Sequence, residues 1–312
     1  MLRAISLSLA IASALLLTAS GSCNDGSQAR MPGRIKTLPT LPRPAPLPPP
    51  PAALPQARSG EFALIGELTQ GGWISGLAPL DARSVTLDGQ SVAVEPDGRF
   101  FAAFDRDAEG SAALVARLGD GRTVSRNLAI APRAWKIERI PLGPRPGTPP
   151  NQEFLRRRAG EIEQINAARR INAVSDGWRQ RFIWPARGRI SGRFGSQRIY
   201  PAGPAAYHSG TDIATGASGT PYVAPADGVV ILAADRPFTL EGNLLMIDHG
   251  MGLNSAFLHS SQILVREGDR VKQGQVIGRI GMTGRATGPH LHWSLKWRSA
   301  KLDAMLFVGP MR

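Results

Sequence analysis

The sequence has little of several features that define common protein classes. Among its 312 residues it has a single cysteine, Cys23, so no disulfide can form within the chain. Aromatic residues are only 6% of the total, and helix-turn-helix, zinc-finger and RNP patterns are missing, so a nucleic-acid partner is not predicted despite a formal net charge of +13. There is also no H-E-x-x-H motif, which excludes a helical pair of zinc ligands with a glutamate base.

The N-terminal segment has the layout of a secretory signal. An apolar run from Leu2 to Ala19 begins beside Arg3 and is followed by small residues. The run is too short and too mixed to predict a membrane-spanning helix. Because Ser20-Gly-Ser-Cys23 resembles a lipoprotein cleavage site, we predict a signal peptide over residues 1–22 and a lipid on Cys23. Ordinary cleavage near Ala19 to Ser22 is the alternative. Either way the protein is expected in the periplasm or cell envelope, in the first case anchored to the membrane.

Composition divides the rest of the chain into four parts. Residues 23–59 contain ten prolines and no periodicity, which predicts an extended, disordered linker. Residues 60–141 read as seven short strands separated by Asp-Gly turns, so we predict a small immunoglobulin-like β-sandwich that serves as a spacer, a binding module or a cover over the catalytic groove. Residues 142–181 are predicted to form a second linker and a connector helix from Glu153 to about Val174, capped by Asn151. Its predicted apolar face consists of Leu155, Ile162, Ile165 and Ile171. Residues 182–312 return to strands and predict an antiparallel β-sheet domain, so the fold class is mostly β.

All five histidines fall between Tyr207 and Trp293. His208 and Asp212 are separated by three residues that include Gly210, for which we predict a tight turn at positive φ. His290 and His292 lie on one face of a predicted strand. Two imidazoles and a carboxylate around one cation leave a fourth position for water, as in catalytic zinc sites. The residues alone do not decide which histidine of the His290-Leu-His292 pair is the ligand, and the same ligand set also suits iron.

The region from Phe182 to Phe307 resembles the lysostaphin-type zinc metallopeptidases, which cut peptide cross-links in bacterial peptidoglycan. The resemblance rests on several short motifs that occur in the same order. They are His208-Ser-Gly-Thr-Asp212, Gly242-Asn243, Asp248-His249-Gly250, Phe257-Leu-His259-Ser260, the turn Glu267 to Gln275, and Thr283 to His290 continuing to His292. The chain has Ser260 and Ala304 where the family often has leucine and proline.

The resemblance implies a β-sheet groove with one Zn²⁺ at its floor, held by His208, Asp212 and His292, and with walls formed by loops such as Arg198 to Tyr207. It also implies that His259 and His290 flank the bound water or the oxyanion as catalytic residues. Asn243 is predicted to line the groove near substrate or to fasten a turn, and His249 to be a structural turn residue. The predicted function is hydrolysis of peptidoglycan cross-link peptides. A non-catalytic protein of the same fold that binds peptidoglycan or activates an amidase is the alternative.

Charge gives a further expectation about partners. Between Asn151 and Tyr200 there are eleven arginines and four acidic residues, a net charge of +7. Such a stretch would be attracted to the carboxylates of peptidoglycan stems and to anionic membranes. A solvated, arginine-rich helix face is the interpretation that we favour.

Overall fold

The computed structural model describes residues 60–141, 151–201, 203–204 and 206–311. The predicted signal peptide, Cys23 and the proline-rich linker of residues 23–59 lie outside the described residues, as does most of the linker after Pro141. The described residues belong to one compact unit that begins at Leu47. Nearly all their regular structure is antiparallel β-sheet, which confirms the predicted fold class.

The N-terminal part contains two antiparallel sheets, and each of the seven segments predicted as strands contains one strand. Those strands are β1 (Ala63–Glu67), β2 (Trp73–Leu77), β3 (Ala82–Leu87), β4 (Gln90–Val92), β5 (Arg99–Ala103), β6 (Ser111–Leu118) and β7 (Thr123–Ala129). One sheet has the order β1-β2-β5 and the other β4-β3-β6-β7. The strands are divided between two sheets as in immunoglobulin-like sandwiches, except that the fourth strand, β4, pairs in the second sheet and not in the first. Ile74, Phe100 and Leu114 are fully buried within it.

A helix and a small sheet follow. β8 (Ile137–Arg139) pairs in parallel with a later strand, and α1 (Gln152–Arg169) begins at Asn151, whose side chain accepts the Phe154 N–H at 2.7 Å as predicted. The predicted helix end at Val174 was wrong by five residues. Beyond Arg169 the chain leaves the helix, and the Ala173 N–H donates to the Asp248 carboxylate at 2.8 Å instead.

The predicted apolar face of α1 was also wrong in part. Ile165 is buried against the main sheet, whereas Leu155 and Ile162 are exposed. The helix is held instead by a buried carboxylate, Glu161. It accepts the Thr239 N–H at 2.7 Å and contacts Arg158 at 3.2 Å.

The C-terminal part is built on one eight-stranded antiparallel sheet. Its strands are β9 (Arg189–Gly192), β12 (Thr211–Ala214), β14 (Gly228–Ala233), β15 (Asn243–Asp248), β16 (Leu253–Ser260), β18 (Arg270–Val271), β20 (Leu291–Trp297) and β21 (Ala300–Leu302). The order is β18-β14-β15-β16-β20-β12-β9, with β21 on the free part of β20. Pairing of β20 with both β12 and β16 brings the two histidine motifs together.

Short elements complete the domain. They are β10 (Gln197–Tyr200), β11 (Gly203–Pro204), β13 (Pro221–Val223), β17 (Gln262–Ile263), β19 (Val276–Arg279) and two 3₁₀ turns, Gly177–Arg179 and Ala304–Leu306. β10 pairs with β8 and β11, so the segment Arg198 to Tyr207, predicted as a loop at the groove wall, contains a hairpin. β13, β19 and β17 form a separate three-stranded sheet.

Candidate metal centre

Three potential ligand atoms converge where β12 and β20 lie side by side. The Asp212 Oδ1 atom lies 3.1 Å from His208 Nε2 and 2.8 Å from His292 Nδ1, and the two nitrogens are 3.1 Å apart. Asp212 and His292 are direct cross-strand partners. Ligands on a tetrahedral zinc ion at about 2.0–2.1 Å stand roughly 3.3 Å from one another, so this triangle has the size that zinc requires.

Two glycines allow the ligands to come so close. A Cβ atom on Gly192 would stand 2.2 Å from the Asp212 Oδ2 atom, and one on Gly210 would stand 2.6 Å from His292 Nε2. Gly210 is not among the residues at positive φ, so the predicted reason for this glycine was wrong. The position is restricted by the His292 ring packed against it.

Hydrogen bonds to backbone carbonyls set the tautomers of three histidines. His208 Nδ1 lies 3.1 Å from the Arg193 oxygen, His259 Nδ1 2.8 Å from the Thr283 oxygen, and His290 Nδ1 2.8 Å from the Gly288 oxygen. Because a carbonyl oxygen only accepts, each Nδ1 carries a proton, and Nε2 is the ring nitrogen left to bind a metal or exchange a proton. This outer bond is the usual way in which proteins orient metal-binding and catalytic imidazoles.

His259 is held in an uncommon backbone conformation. Its φ is +64°, in the left-handed region, and the pairing of β15 with β16 shifts register between Asn243 and Leu245 beside it. Such bulges redirect a side chain next to a functional site. The ring of His259 lies 4.9 Å from that of His290 and 6.3 Å from that of His292, measured between centroids. His290 Nε2 is 3.8 Å from Asp212 Oδ1.

The electrostatics of the cluster favour a cation. Burial would raise the pKa of Asp212, but hydrogen bonds from His208 and His292 hold that pKa well below its usual range, so the carboxylate is ionised. Burial lowers the pKa of His292 and of His259, which keeps these imidazoles neutral. Burial would also lower the pKa of His208, but the Asp212 carboxylate outweighs it and raises that pKa. The cluster therefore holds one ionised carboxylate, whose charge favours a positive partner beside it, either a proton on His208 or a metal cation.

Asn243 supports the segment that carries His259 through its backbone and its amide. Its Nδ2 donates to the Ser260 carbonyl at 2.8 Å, and its N–H donates to Thr283 Oγ1 at 2.9 Å. Thr283 Oγ1 donates in turn to the same Ser260 carbonyl at 2.9 Å. Ser260 is fully buried, and its hydroxyl bonds to the Tyr222 hydroxyl at 2.8 Å, which accounts for a serine where the family often has leucine.

His249 takes no part in the cluster. It is fully buried, its Nδ1 donates to the Asp227 carbonyl at 2.8 Å, and burial lowers its pKa to about 4. The neutral ring therefore accepts at Nε2 from Ser255 Oγ, 2.7 Å away, and Ser255 Oγ accepts from Trp293 Nε1 at 3.2 Å. Through Ser255 and Trp293, His249 thus supports β20, the strand that carries His292.

Two residues near the site carry no sequence signal of their role. The Arg193 carbonyl orients His208, and a backbone atom is the same in every residue type. Arg106 of the sandwich is buried and donates to the Gly195 carbonyl at 3.0 Å, two residues beyond Arg193. Its guanidinium also lies 4.5 Å from the centroid of the Tyr207 ring.

Comparison with known proteins identifies the domain that holds this cluster. Residues 206–304 match the model of peptidase family M23. The chain contains a peptidase family M23 domain. All three residues of the ligand triangle lie within the matched range, as do His259 and His290.

The chain is also similar to curated proteins over part of its length. The chain is 41% identical over 133 residues to the peptidoglycan DD-endopeptidase ShyA of Vibrio cholerae, covering 42% of this chain and 30% of that protein. It is 41% identical over 117 residues to ShyB of the same organism, covering 37% of this chain and 27% of that protein. The chain thus spans less than a third of the length of these relatives.

A solved structure extends the fold comparison beyond the M23 domain. A crystal structure from Pseudomonas aeruginosa assigned to peptidase M23 covers 78% of this chain and 96% of its own length, with 26% identity and a TM-score of 0.56. The likeness therefore takes in more than the matched 99 residues of the M23 domain.

Proposed function

We propose that the protein is an exported zinc metalloendopeptidase that hydrolyses peptide cross-links of bacterial peptidoglycan. The observation that carries this proposal is the convergence of His208 Nε2, His292 Nδ1 and Asp212 Oδ1 to within 3.1 Å of one another. The family of the domain and the activity named for its relatives ShyA and ShyB support the same reaction.

In this proposal His208, Asp212 and His292 hold one zinc ion, and the set is complete without a further protein residue. Zinc supplies a Lewis acid that polarises a carbonyl group and brings the pKa of water toward neutrality. The carboxylate of Asp212 balances part of the positive charge. The Arg193 carbonyl keeps the proton of His208 on Nδ1, so that Nε2 is available as a ligand.

His259 and His290 handle protons in this reaction. Each carries its own proton on Nδ1 and presents Nε2 as an acceptor. A neutral Nε2 would take a proton from the attacking water and give it to the leaving amine. A positioned imidazole commonly acts in this way as a general base and then a general acid. The left-handed backbone at His259 and its bond to Thr283 fix the direction of that ring. Contact of Asn243 with substrate is part of the same proposal.

Location and anchoring complete the proposal. We place the protein in the periplasm or cell envelope, where peptidoglycan is found, and propose a lipid on Cys23 as its anchor. Within the described residues no helix combines the length and the apolar run needed to span a bilayer. Mass spectrometry of the mature N-terminus tests the anchor, because an unmodified chain starting beyond Cys23 would exclude it.

The activity is tested by digestion of purified sacculi. The full chain is incubated with sacculi with and without a chelator, and the released muropeptides are separated. We expect loss of cross-linked dimers with the intact protein, none with chelator, and recovery after zinc is restored. The His208→Ala variant is expected to lose both the activity and the bound zinc.

Arg236→Ala provides the control variant, since Arg236 has a side chain that is 77% exposed. It should digest sacculi as the unaltered protein does. Binding of the unaltered, zinc-loaded protein to sacculi without any loss of dimers would contradict the proposal and favour the non-catalytic alternative.

A further inference from the structure

Three basic side chains lie on or beside the face of the main sheet that carries His292. Residues of β20 alternate between a buried face and the face of His292, and on the latter Ser294 and Lys296 are half-buried. Lys296 stands four residues from His292 on the same face, on the order of 13 Å along the strand. Lys301 of β21 is its direct cross-strand partner.

The third basic residue comes from α1, which covers the neighbouring strands on this same face. Ile165 and Ala168 of α1 belong to one hydrophobic cluster with Ile231 of β14 and Ala256 of β16, and Leu258 of β16 packs against that cluster. Leu258 is the cross-strand partner of His292. Arg169, the last residue of α1, has a buried Nε atom with no hydrogen-bond partner in the described part of the chain.

No side-chain nitrogen of these three residues lies within 4.0 Å of a carboxylate oxygen among the described residues, although Asp105 and Glu241 are close enough to attract them weakly. The Lys301 backbone N–H donates to Asp105 Oδ2 at 2.8 Å, and Lys301 Nζ lies 4.7 Å from the centroid of the Tyr207 ring. Like charges directly opposite on neighbouring strands destabilise a sheet. Burial, and then the charges of Arg169 and Lys301, lower the pKa of Lys296. Holding three like charges together costs free energy, and a negatively charged ligand would offset that cost.

We propose that Arg169, Lys296 and Lys301 form a subsite for a carboxylate of the peptide substrate. The proposal rests on the proposed function, since peptidoglycan stem peptides carry free carboxylates. An extended peptide whose scissile bond lies at the metal centre reaches this cluster after about four residues at roughly 3.3 Å each. A bound carboxylate would supply negative charge beside these three cations.

The test compares two forms of one substrate. The substrates are cross-linked muropeptide dimers with free carboxylates and the same dimers after amidation. The cleavage of each is measured with the intact protein, with Lys296→Gln, with Lys296→Arg and with the control Lys136→Gln. We expect Lys296→Gln to raise KM about tenfold for free dimers, the loss of one charged hydrogen bond, with kcat unchanged. The intact protein should show a similar KM difference between free and amidated dimers. Lys296→Arg should restore most of the affinity, and Lys136→Gln should change neither constant, because Lys136 is exposed and outside the cluster.

The outcomes separate the subsite from the activity. Equal KM values of the intact protein for both dimers, or equal effects of Lys296→Gln and Lys136→Gln, would overturn the subsite while leaving the peptidase intact. If the intact protein cleaves neither dimer, the proposed function fails. In that case calorimetry with His208→Ala still tests the subsite. The subsite predicts that the free dimer binds about tenfold more tightly than the amidated dimer. Lys296→Gln is expected to fold, because it removes repulsion with Lys301.

Discussion

At the scale of single residues, the candidate metal centre depends on two glycines, which have no side chain, as well as on its ligands. The space that a side chain on Gly210 would need is filled by the His292 ring, and the space beside Gly192 by the Asp212 carboxylate. Neither glycine is at positive φ, so an alanine would suit the backbone but not the neighbouring ligand. These two positions therefore set ligand geometry without binding metal.

Gly210→Ala is expected to weaken zinc binding by about 10- to 100-fold, the range found when the support of a metal ligand is disturbed. The new methyl group would displace the His292 ring, since its atoms would stand only 2.6 Å apart. Competition with a chromogenic chelator measures the affinity. Gly110→Ala is the control, because a Cβ atom there meets nothing within 4 Å. Equal affinities of the two variants would show that the ring has room to move.

Side chains with distinctive chemistry were the predictable part of the site. The spacing of His208 and Asp212 and the His290-Leu-His292 pair predicted two imidazoles and a carboxylate together, and the structure brings these groups together. The role of Gly210 was not predictable, because it depends on a residue 82 positions away. The Arg193 carbonyl gave no signal at all, since every residue has one.

At the scale of elements, α1 is attached to the sheet through charge rather than through a broad apolar face. Glu161 is buried and accepts bonds from Thr239 and Arg158, while Arg158 also binds Glu241 at 2.8 Å. The His259 N–H in turn donates to the Glu241 carbonyl at 2.8 Å. The attachment of α1 thus supports the segment that carries His259. Periodicity predicted an apolar face because it counts residue types and does not detect a buried ion pair.

The Glu161 attachment predicts a pH dependence of stability. Burial alone would raise the pKa of Glu161, but bonds from Thr239 and Arg158 outweigh it and lower the pKa below 4.5. A group whose pKa is lowered by folding stabilises the fold above its unfolded pKa and loses that contribution as pH falls through the folded value. Urea unfolding between pH 7 and pH 3 should therefore show a steeper loss for the intact protein than for Glu161→Gln. Parallel curves would mean that the carboxylate contributes no pH-dependent stability.

The segment from Arg193 to Tyr200 joins the sandwich to the metal centre. Arg106 binds the Gly195 carbonyl, the Gly195 N–H donates to the His208 carbonyl at 2.9 Å, and the His208 N–H donates to the Ser196 carbonyl at 2.8 Å. Two backbone bonds thus tie His208 to a segment that a sandwich residue holds. The sandwich is in this way part of the support of a ligand.

Arg106→Gln is expected to reduce the free energy of unfolding by about 1–3 kcal/mol, the usual cost of leaving a buried acceptor such as the Gly195 carbonyl without its donor. If Arg106 also positions His208, the absorption spectrum of the cobalt-substituted protein should change, which a loss of stability alone would not produce. Arg122→Gln is the control, because the Arg122 side chain is 72% exposed in a sandwich hairpin. An unaltered cobalt spectrum in Arg106→Gln would limit its role to stability.

At the scale of the whole molecule, the sandwich and the peptidase domain share aromatic contacts. Phe307, near the end of the chain, lies 5.4 Å from Trp73 and 6.4 Å from Phe101 of the sandwich, and 5.5 Å from Phe182, between ring centroids. A buried carboxylate, Asp303, reinforces the junction by pairing with Arg133 at 2.8 Å. Sequence reasoning left the sandwich open as a spacer, a binding module or a cover, because strand patterns do not show which faces meet.

A junction of this kind predicts that the two parts unfold together. Urea unfolding of the intact protein should give one transition that coincides by tryptophan fluorescence and by far-ultraviolet circular dichroism. Phe307→Ala should lower the free energy of unfolding by about 3–5 kcal/mol, because it empties space between several buried rings. Leu80→Ala, at a side chain that is 52% exposed, should change it by no more than about 0.5 kcal/mol. Two separate transitions in the intact protein would show that the sandwich folds independently, and Arg106 would then be too weakly held to fix the segment behind His208.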